Sequence, residues 1–175
     1  KSQLIDEDTY ATGRSNPLDE VIHRAYSLYQ DLLQRNSAVD FDDLLLKTYI
    51  IFRDNGSVLE QYQSRYMYLL IDEFQDTNIA QYTLAKQLAS LNHNICVVGD
   101  PDQSIYSWRF ADIRNILSFE KDYPDAKVVV LEQNYRSTQT ILEGAQYVIS
   151  ANQKRKEKNL WTENELGVPI TMAEA

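Results

Sequence analysis

The sequence has few of the residues that build disulfides and metal centres. One cysteine and two histidines among 175 residues exclude a disulfide scaffold and argue against a metal site made of Cys or His ligands. The five glycines form no phosphate loop of the type GxxxxGK followed by Ser or Thr. No apolar run approaches the roughly 20 residues of a membrane-spanning helix. We therefore expect a protein without membrane segments, disulfides or a Cys/His metal site.

Positive charge is also scarce. Lys and Arg number 17 against 26 Asp and Glu, so the net charge is −9 at pH 7. A protein that coats DNA through bulk positive charge has the opposite balance. Hydrophobic residues make up 43% and charged residues 25%, which is typical of a globular chain. Any contact with nucleic acid therefore has to be made by a small group of residues rather than by the net charge of the protein.

The two ends of the sequence read as internal points of a longer protein. Lys1 stands where a start methionine is expected, and Val168–Met172 has the pattern of a strand at its beginning. No signal peptide or other targeting segment is recognisable. We expect a piece of a larger, cytoplasmic protein of bacterial type.

The first 65 residues have the spacing of helices. Pro17 is placed as a first-turn residue, and apolar residues then recur every three or four positions up to Leu33. A second helix is predicted to begin near Asp40, with Phe41 on its apolar face, and to break at Asn55. A short third helix is predicted to end near residue 65.

From residue 66 onward, short apolar runs alternate with segments of helical spacing. The runs are Tyr66–Ile71, Ile95–Val98 and Val128–Leu131, and the predicted helices lie near 78–91, 111–120 and 138–151. Such alternation predicts an α/β fold with a parallel sheet that helices cover on both faces. Ligands of these folds bind outside the carboxyl ends of the strands, so the residues that follow each run are the candidates for chemistry.

Adjacent carboxylates follow the first run. Asp72 and Glu73 suit a site for phosphate and magnesium, because one carboxylate can hold Mg²⁺ while the next orients or deprotonates an attacking water. The alternative is that both acids are merely solvated and that Asp76 and Thr77 cap the next helix.

The second run is followed by a Gly-Asp-Pro corner and a group of aromatic residues. The corner leaves Gln103 free to point at a ligand, while Tyr106, Trp108 and Arg109 are suited to stacking on nucleic-acid bases. Tyr106 and Trp108 are equally compatible with a place in the core.

The third run leads to Arg136 at the predicted start of a helix. Ser137 or Thr138 is a good N-cap for that helix, and the helix start together with Arg136 could hold an anion. The alternative for Arg136 is a salt bridge at the surface.

Taken together, these clusters resemble motifs II, III and IV of the superfamily-1 DNA helicases of the UvrD/PcrA/Rep group. The matching segments are Asp72–Asn78, Gly99–Arg109 and Leu131–Thr138, with further likeness at Asp40–Leu44, Asn115–Glu120 and Trp161–Asn164. The resemblance implies part of a RecA-like P-loop NTPase domain preceded by a helical segment. In that scheme residues 1–65 end a helical insertion of type 1B and return to domain 1A. Residues 66–150 form the second half of domain 1A, and residues 151–175 lead into the second RecA-like domain.

The resemblance also assigns roles on the nucleotide side. It implies that Asp72 coordinates Mg²⁺, that Glu73 activates the hydrolytic water and that Arg136 contacts the γ-phosphate of ATP. Gln75 and Gln103 are implied to lie near the γ-phosphate and to report its presence to the DNA side.

On the DNA side, the resemblance implies that Tyr106 and Trp108 line the path of a single strand. Arg109 is implied to connect this loop to the ATP site. At the ATP site itself, Tyr135 is implied to pack against the base or sugar of the nucleotide. Phe110 departs from the family, which usually has glycine after Trp-Arg, a residue that allows close approach of the backbone.

The implied function is ATP-dependent movement in the 3′ to 5′ direction on single-stranded DNA, with unwinding of partly duplex DNA. Its cofactors are ATP and Mg²⁺, and repair or replication proteins are the candidate partners. Alternatives are the helicase part of an AddAB/RecBCD-like nuclease complex and a catalytically inactive binding module. Because these residues include no phosphate loop, we expect the 175-residue chain alone to lack useful ATPase activity.

Overall fold

A computed structural model describes residues 1–13, 16–152 and 158–173. The chain divides into two compact units. The first comprises Lys1–Asp100 and Ser104–Asn115, and the second comprises Pro101–Gln103 and Ile116–Ala175. The division at residues 65 and 150 stays a prediction, and the predicted linker lies partly outside the described residues.

Four helices open the first unit: α1 (Glu7–Thr12), α2 (Pro17–Arg35), α3 (Phe41–Asp54) and α4 (Gly56–Arg65). Reciprocal side-chain and backbone hydrogen bonds form capping boxes, Asn16 with Asp19 in α2 and Asp40 with Asp43 in α3. The predictions of α2, α3 and α4 are confirmed. None of the helices in the described ranges is long and apolar enough to cross a bilayer.

Lys1 joins α2 to the start of α3. Its Nζ lies 2.6 Å from Asp40 Oδ2 and 3.0 Å from Asp43 Oδ1, and its side chain is 7% exposed. Burial alone would lower the pKa of Lys1, but the hydrogen bonds to the two carboxylates outweigh it and raise this pKa. Tyr29 of α2 donates its hydroxyl to Asp40 as well, at 2.9 Å. These contacts fix the first turn of α3, where Phe41 lies.

Two parallel strands, β1 (Leu69–Ile71) and β2 (Ile95–Val97), form the sheet, with Leu69 opposite Ile95. The connecting helix α5 (Ile79–Ala89) packs against β1, and α3 and α4 pack against α5. The α/β class and the parallel pairing are confirmed. One face of this sheet is open in the described residues, because Leu70 is 76% exposed and Cys96 is exposed. Side chains alternate along a strand, so these helices cover only the other face.

The third predicted strand is wrong. Val128–Leu131 belongs to no strand, and its side chains are 49% to 77% exposed. The nearest pairing is one isolated parallel bridge between Gln133 and Trp161. An extended run becomes a strand when a neighbour supplies hydrogen bonds, and β1 and β2 supply them to each other.

The second unit is built around α8 (Gln139–Ile149), which confirms the predicted helix near 138–151. The segment predicted as one helix over 111–120 instead contains the short helices α6 (Arg114–Leu117) and α7 (Phe119–Asp122). Gly167 has φ +80°, and a side chain there would collide with Thr138, the N-cap of α8. This close approach lets the segment around Gly167 lie against the start of the helix.

Candidate functional site

The carboxyl end of β1 presents two exposed carboxylates, Asp72 and Glu73. Asp72 Oδ1 accepts the backbone N–H of Glu73 at 2.9 Å. Glu73 has φ 49° and ψ 41°, in the left-handed region, where a residue with a Cβ costs about 1–2 kcal/mol. Such strain concentrates at functional sites.

Gln75 joins this turn to the end of β2. Its side chain is almost fully buried at 1% exposure. Its Nε2 donates to Glu73 Oε2 at 2.9 Å and to Asp76 Oδ2 at 3.1 Å, and its Oε1 accepts the Asp100 backbone N–H at 3.0 Å. Both amide hydrogens are therefore bound to carboxylates, and the predicted contact of Gln75 with a γ-phosphate stays a prediction.

Proteins usually contribute few ligands to a magnesium site, and the two carboxylates after β1 are suited to that role. Within the described ranges, no three His, Cys, Asp or Glu side chains gather to hold a metal ion. Mg²⁺ keeps several waters and takes one or two carboxylates together with phosphate oxygens. Asp72, which is exposed at the end of β1, is suited to be such a carboxylate ligand.

A groove of about 800 Å³ lies in the same unit. Four aromatic side chains line it, namely Phe41, Tyr106, Trp108 and Phe110. Their exposures are 90%, 38%, 68% and 57%. Core aromatics are far less exposed, so the alternative that placed Tyr106 and Trp108 in the core is wrong.

The charges of the groove are few and mostly negative. Among the described residues that line it, Arg109 is the one cation, and its guanidinium carbon lies 4.5 Å from the Trp108 ring centre and 5.7 Å from that of Tyr106. Both distances are within the range of cation–π attraction. Asp42 and Asp76 contribute carboxylates to the lining, and Asp76 Oδ1 is buried without a hydrogen bond. Such a lining favours flat, uncharged groups over phosphates.

Phe110 stands at a turn that glycine would favour. It ends the 3₁₀ turn Ser107–Arg109 with φ 65° and ψ 17°. Its backbone N–H donates to Ser107 O at 3.0 Å. The departure from the family's glycine therefore falls on a residue with positive φ, and the Phe110 side chain adds an aromatic surface to the groove.

The remaining predicted site residues belong to the second unit. Gln103 is exposed at the end of a 3₁₀ turn, and the neighbouring Asp102 pairs with Lys158 at 3.3 Å. Tyr135 is 78% exposed and donates its hydroxyl to Gln133 Oε1 at 2.6 Å. The Arg136 side chain is exposed.

Two backbone donors at the start of α8 have partners in the segment around Leu166. The backbone N–H groups of Gln139 and Thr140 donate to the carbonyl oxygens of Glu165 and Leu166, at 3.1 Å and 3.0 Å. These two donors are thus occupied, the predicted anion site stays a prediction, and Arg136 is its candidate phosphate ligand.

Phe41 lines the groove, although the sequence pattern assigned it no function. It was predicted on the apolar face of α3 but is 90% exposed. The signal that would have revealed it is its place between two acidic residues, Asp40 and Asp42, directly after an N-cap. A first-turn aromatic flanked by charges is poorly suited to a core position.

The sequence matches two family models. Residues 1–124 match the UvrD/REP helicase N-terminal domain, and residues 129–175 match the UvrD-like helicase C-terminal domain. Similar curated proteins include the ATP-dependent DNA helicase PcrA of Bacillus subtilis, 52% identical over 98% of this chain and 23% of that protein. The protein of the same name from Staphylococcus aureus strain Mu50 is 57% identical over 89% of this chain and 21% of its own length. The chain thus spans between 21% and 23% of these relatives, and it belongs to the UvrD/REP helicase family.

Proposed function

We propose that this protein is an ATP-dependent DNA helicase that hydrolyses ATP at the carboxyl end of β1 and moves 3′ to 5′ along single-stranded DNA. The observation that carries the proposal is the Gln75 amide, which contacts both Glu73 and Asp76. Glu73 is the exposed carboxylate at the strand end, and Asp76 lines the aromatic groove. A hydrolytic carboxylate and a base-binding groove thus share one hydrogen-bonded turn.

On the nucleotide side, ATP with Mg²⁺ would supply the phosphoryl group that water attacks. Asp72 would hold the metal ion through its exposed carboxylate. Glu73 would take the proton of the attacking water, with Oε2 held by Gln75 at 2.9 Å. Carboxylates in this role must be fixed within hydrogen-bond reach of the water. Gln103 and Arg136 would contact the γ-phosphate, a proposal that rests on the family resemblance.

On the DNA side, bases would stack in the groove on Phe41 and Trp108, and Arg109 would add its planar cation. Stacking accepts every base, which suits a motor that moves regardless of sequence. Asp42 and Asp76 in the lining would keep the phosphates outside. Binding to this groove should therefore depend weakly on salt, with a slope smaller in magnitude than the roughly −0.7 expected for one phosphate contact on a single strand.

The wider assignments also rest on the family. We propose that residues 1–65 belong to a 1B-type insertion, residues 66–150 to the first RecA-like domain and residues 151–175 to the entry of the second, with Tyr135 against the nucleotide. The family models support two domains in this order, but they change from the N-terminal to the C-terminal helicase domain between residues 124 and 129 rather than at residue 150. Single-stranded and partly duplex DNA inside the cell would be the substrate, in repair or replication.

The test is ATP hydrolysis by the full-length protein with and without a single-stranded oligonucleotide. Glu73→Gln should lose about 100-fold or more in turnover, the size of a general-base contribution, because it removes the proton acceptor while keeping the shape. Glu60→Gln is the matched control, since Glu60 is exposed on α4 with no role in the site. A wild-type rate of ATP hydrolysis that is the same with and without DNA would contradict the proposal. A Glu73→Gln variant as fast as the Glu60→Gln control would contradict it as well.

A further inference from the structure

One buried glutamine side chain ties together the polar turns after β1 and β2. Gln75 is 1% exposed, and burying an amide is costly unless its polar atoms are hydrogen-bonded. Both donors and the acceptor of this amide have partners, at 2.9 Å, 3.1 Å and 3.0 Å. Satisfied in this way, the side chain has one fixed orientation.

The orientation follows from the backbone. The Asp100 N–H can only donate, so the Gln75 atom it contacts must be the oxygen, and the amide nitrogen has to face the carboxylates. Glu73 Oε2 is therefore located relative to the end of β2 as well as to its own strand. An exposed glutamate without such a partner would sample several rotamers.

We propose that Gln75 is the positioning residue for Glu73, holding its carboxylate where it receives the proton of the attacking water. This inference rests on the proposed function of Glu73. The amide holds Oε2 through a hydrogen bond to a charged group, which is stronger than a neutral one. Gln75 acts through Glu73 and requires no contact of its own with ATP.

Asp76 explains why a glutamine is suited to this position. The second amide hydrogen goes to Asp76 Oδ2, so the Gln75 side chain lies between two carboxylates. A glutamate at this position would keep an acceptor for the Asp100 N–H. It would also lose both donors and bring a third negative group against Glu73 and Asp76.

The test compares Gln75→Met and Gln75→Glu with wild type in the full-length protein at saturating single-stranded DNA. We expect kcat to fall about 10- to 100-fold in both variants, the usual cost of losing a group that orients a functional side chain. The KM for ATP should stay within about twofold, because the lost interaction serves the transition state rather than ground-state binding.

Gln63→Met is the matched control. Gln63 is also buried, at 5% exposure, and its Nε2 donates to Gln87 O at 2.7 Å and Ser90 Oγ at 2.9 Å, away from the carboxylates. This substitution should lower the midpoint of urea unfolding and leave kcat unchanged. If Gln75 had only a structural role, Gln75→Met would behave like Gln63→Met, with a lower midpoint of urea unfolding and an unchanged kcat. That result would overturn the inference.

Combination with Glu73→Gln separates the possible failures. In single-turnover assays, adding Gln75→Met to Glu73→Gln should cause no further loss, because a residue that acts only through Glu73 has nothing left to position. A further loss in the double variant would overturn the inference. Unchanged kcat in Gln75→Met beside an inactive Glu73→Gln would overturn it and leave the proposed function standing. A wild-type protein without ATP hydrolysis would overturn both.

Discussion

Two apolar runs of the chain, Leu69–Ile71 and Val128–Leu131, are both followed by polar residues that were assigned to a nucleotide site. Leu69–Ile71 pairs with β2 in parallel, and Phe74 and Gln75 just beyond it are 0% and 1% exposed. Val128–Leu131 forms no strand, and the side chains that follow it at Tyr135 and Arg136 are exposed. The same sequence pattern thus leads to a turn with buried side chains in one place and to a turn with exposed side chains in the other.

The difference arises from hydrogen bonds beyond the strand itself. After β1, the Phe74 N–H donates to Val98 O at 3.0 Å, and the Asp100 N–H reaches the Gln75 side chain. The neighbouring strand therefore organises the turn as well as the sheet. An apolar run marks where chemistry is expected, whereas the partner strand determines whether the side chains after it are held in place.

The largest expected effect tests the one-sided cover of the sheet. Leu69 is partly buried on the covered face, whereas Leu70 is 76% exposed on the other. In the 175-residue chain, Leu69→Lys should destabilise the fold by about 3 kcal/mol through lost burial, and Leu70→Lys by about 0.5 kcal/mol or less. Urea unfolding monitored by circular dichroism measures both.

Val129→Lys extends this comparison to the unpaired run. Val129 is 67% exposed, so its replacement should cost no more than that of Leu70, about 0.5 kcal/mol. Equal losses at Leu69 and Leu70 would contradict the open face of the sheet, and a large loss at Val129 would contradict the unpaired state of its segment.

A smaller effect is expected at Phe110, which ends the 3₁₀ turn Ser107–Arg109. Phe110 has φ 65°, and glycine adopts this conformation without the cost that a Cβ brings. Phe110→Gly should therefore be more stable than Phe110→Ala by about 1 kcal/mol, measured by urea unfolding. The alanine variant is the control, because both replacements remove the aromatic ring. An alanine variant at least as stable as the glycine variant would show that the turn does not require positive φ.

The sequence predicts the local parts of this fold well. The helices α2, α3 and α8 begin where Asn16, Asp40 and Thr138 provide N-caps and where apolar residues recur at helical spacing. These signals act within a few residues, so no knowledge of distant contacts is needed. The pairing of β1 with β2 followed from two apolar runs separated by one helix.

Long-range contacts account for what the sequence did not reveal. The bond between Gln75 and the Asp100 N–H spans 25 residues, and nothing in the segment Asp72–Asp76 indicates that its glutamine is buried. Likewise, Lys1 contacts Asp40 and Asp43 on either side of Phe41, although these residues lie 39 or more positions away in the chain. The resemblance predicts which residues form the site, and the structure shows their hydrogen-bond partners.

The central claim is that the groove receives DNA bases and that its occupancy drives hydrolysis at the end of β1. The most direct test is the concentration of single-stranded DNA that half-maximally stimulates ATP hydrolysis by the full-length protein. Trp108→Ala should raise it about 5- to 150-fold, the equivalent of one lost stacking interaction of about 1–3 kcal/mol. Tyr68→Ala removes an equally exposed aromatic outside the groove and should leave it unchanged. A Trp108→Ala variant with the half-maximal concentration of wild type would contradict the claim.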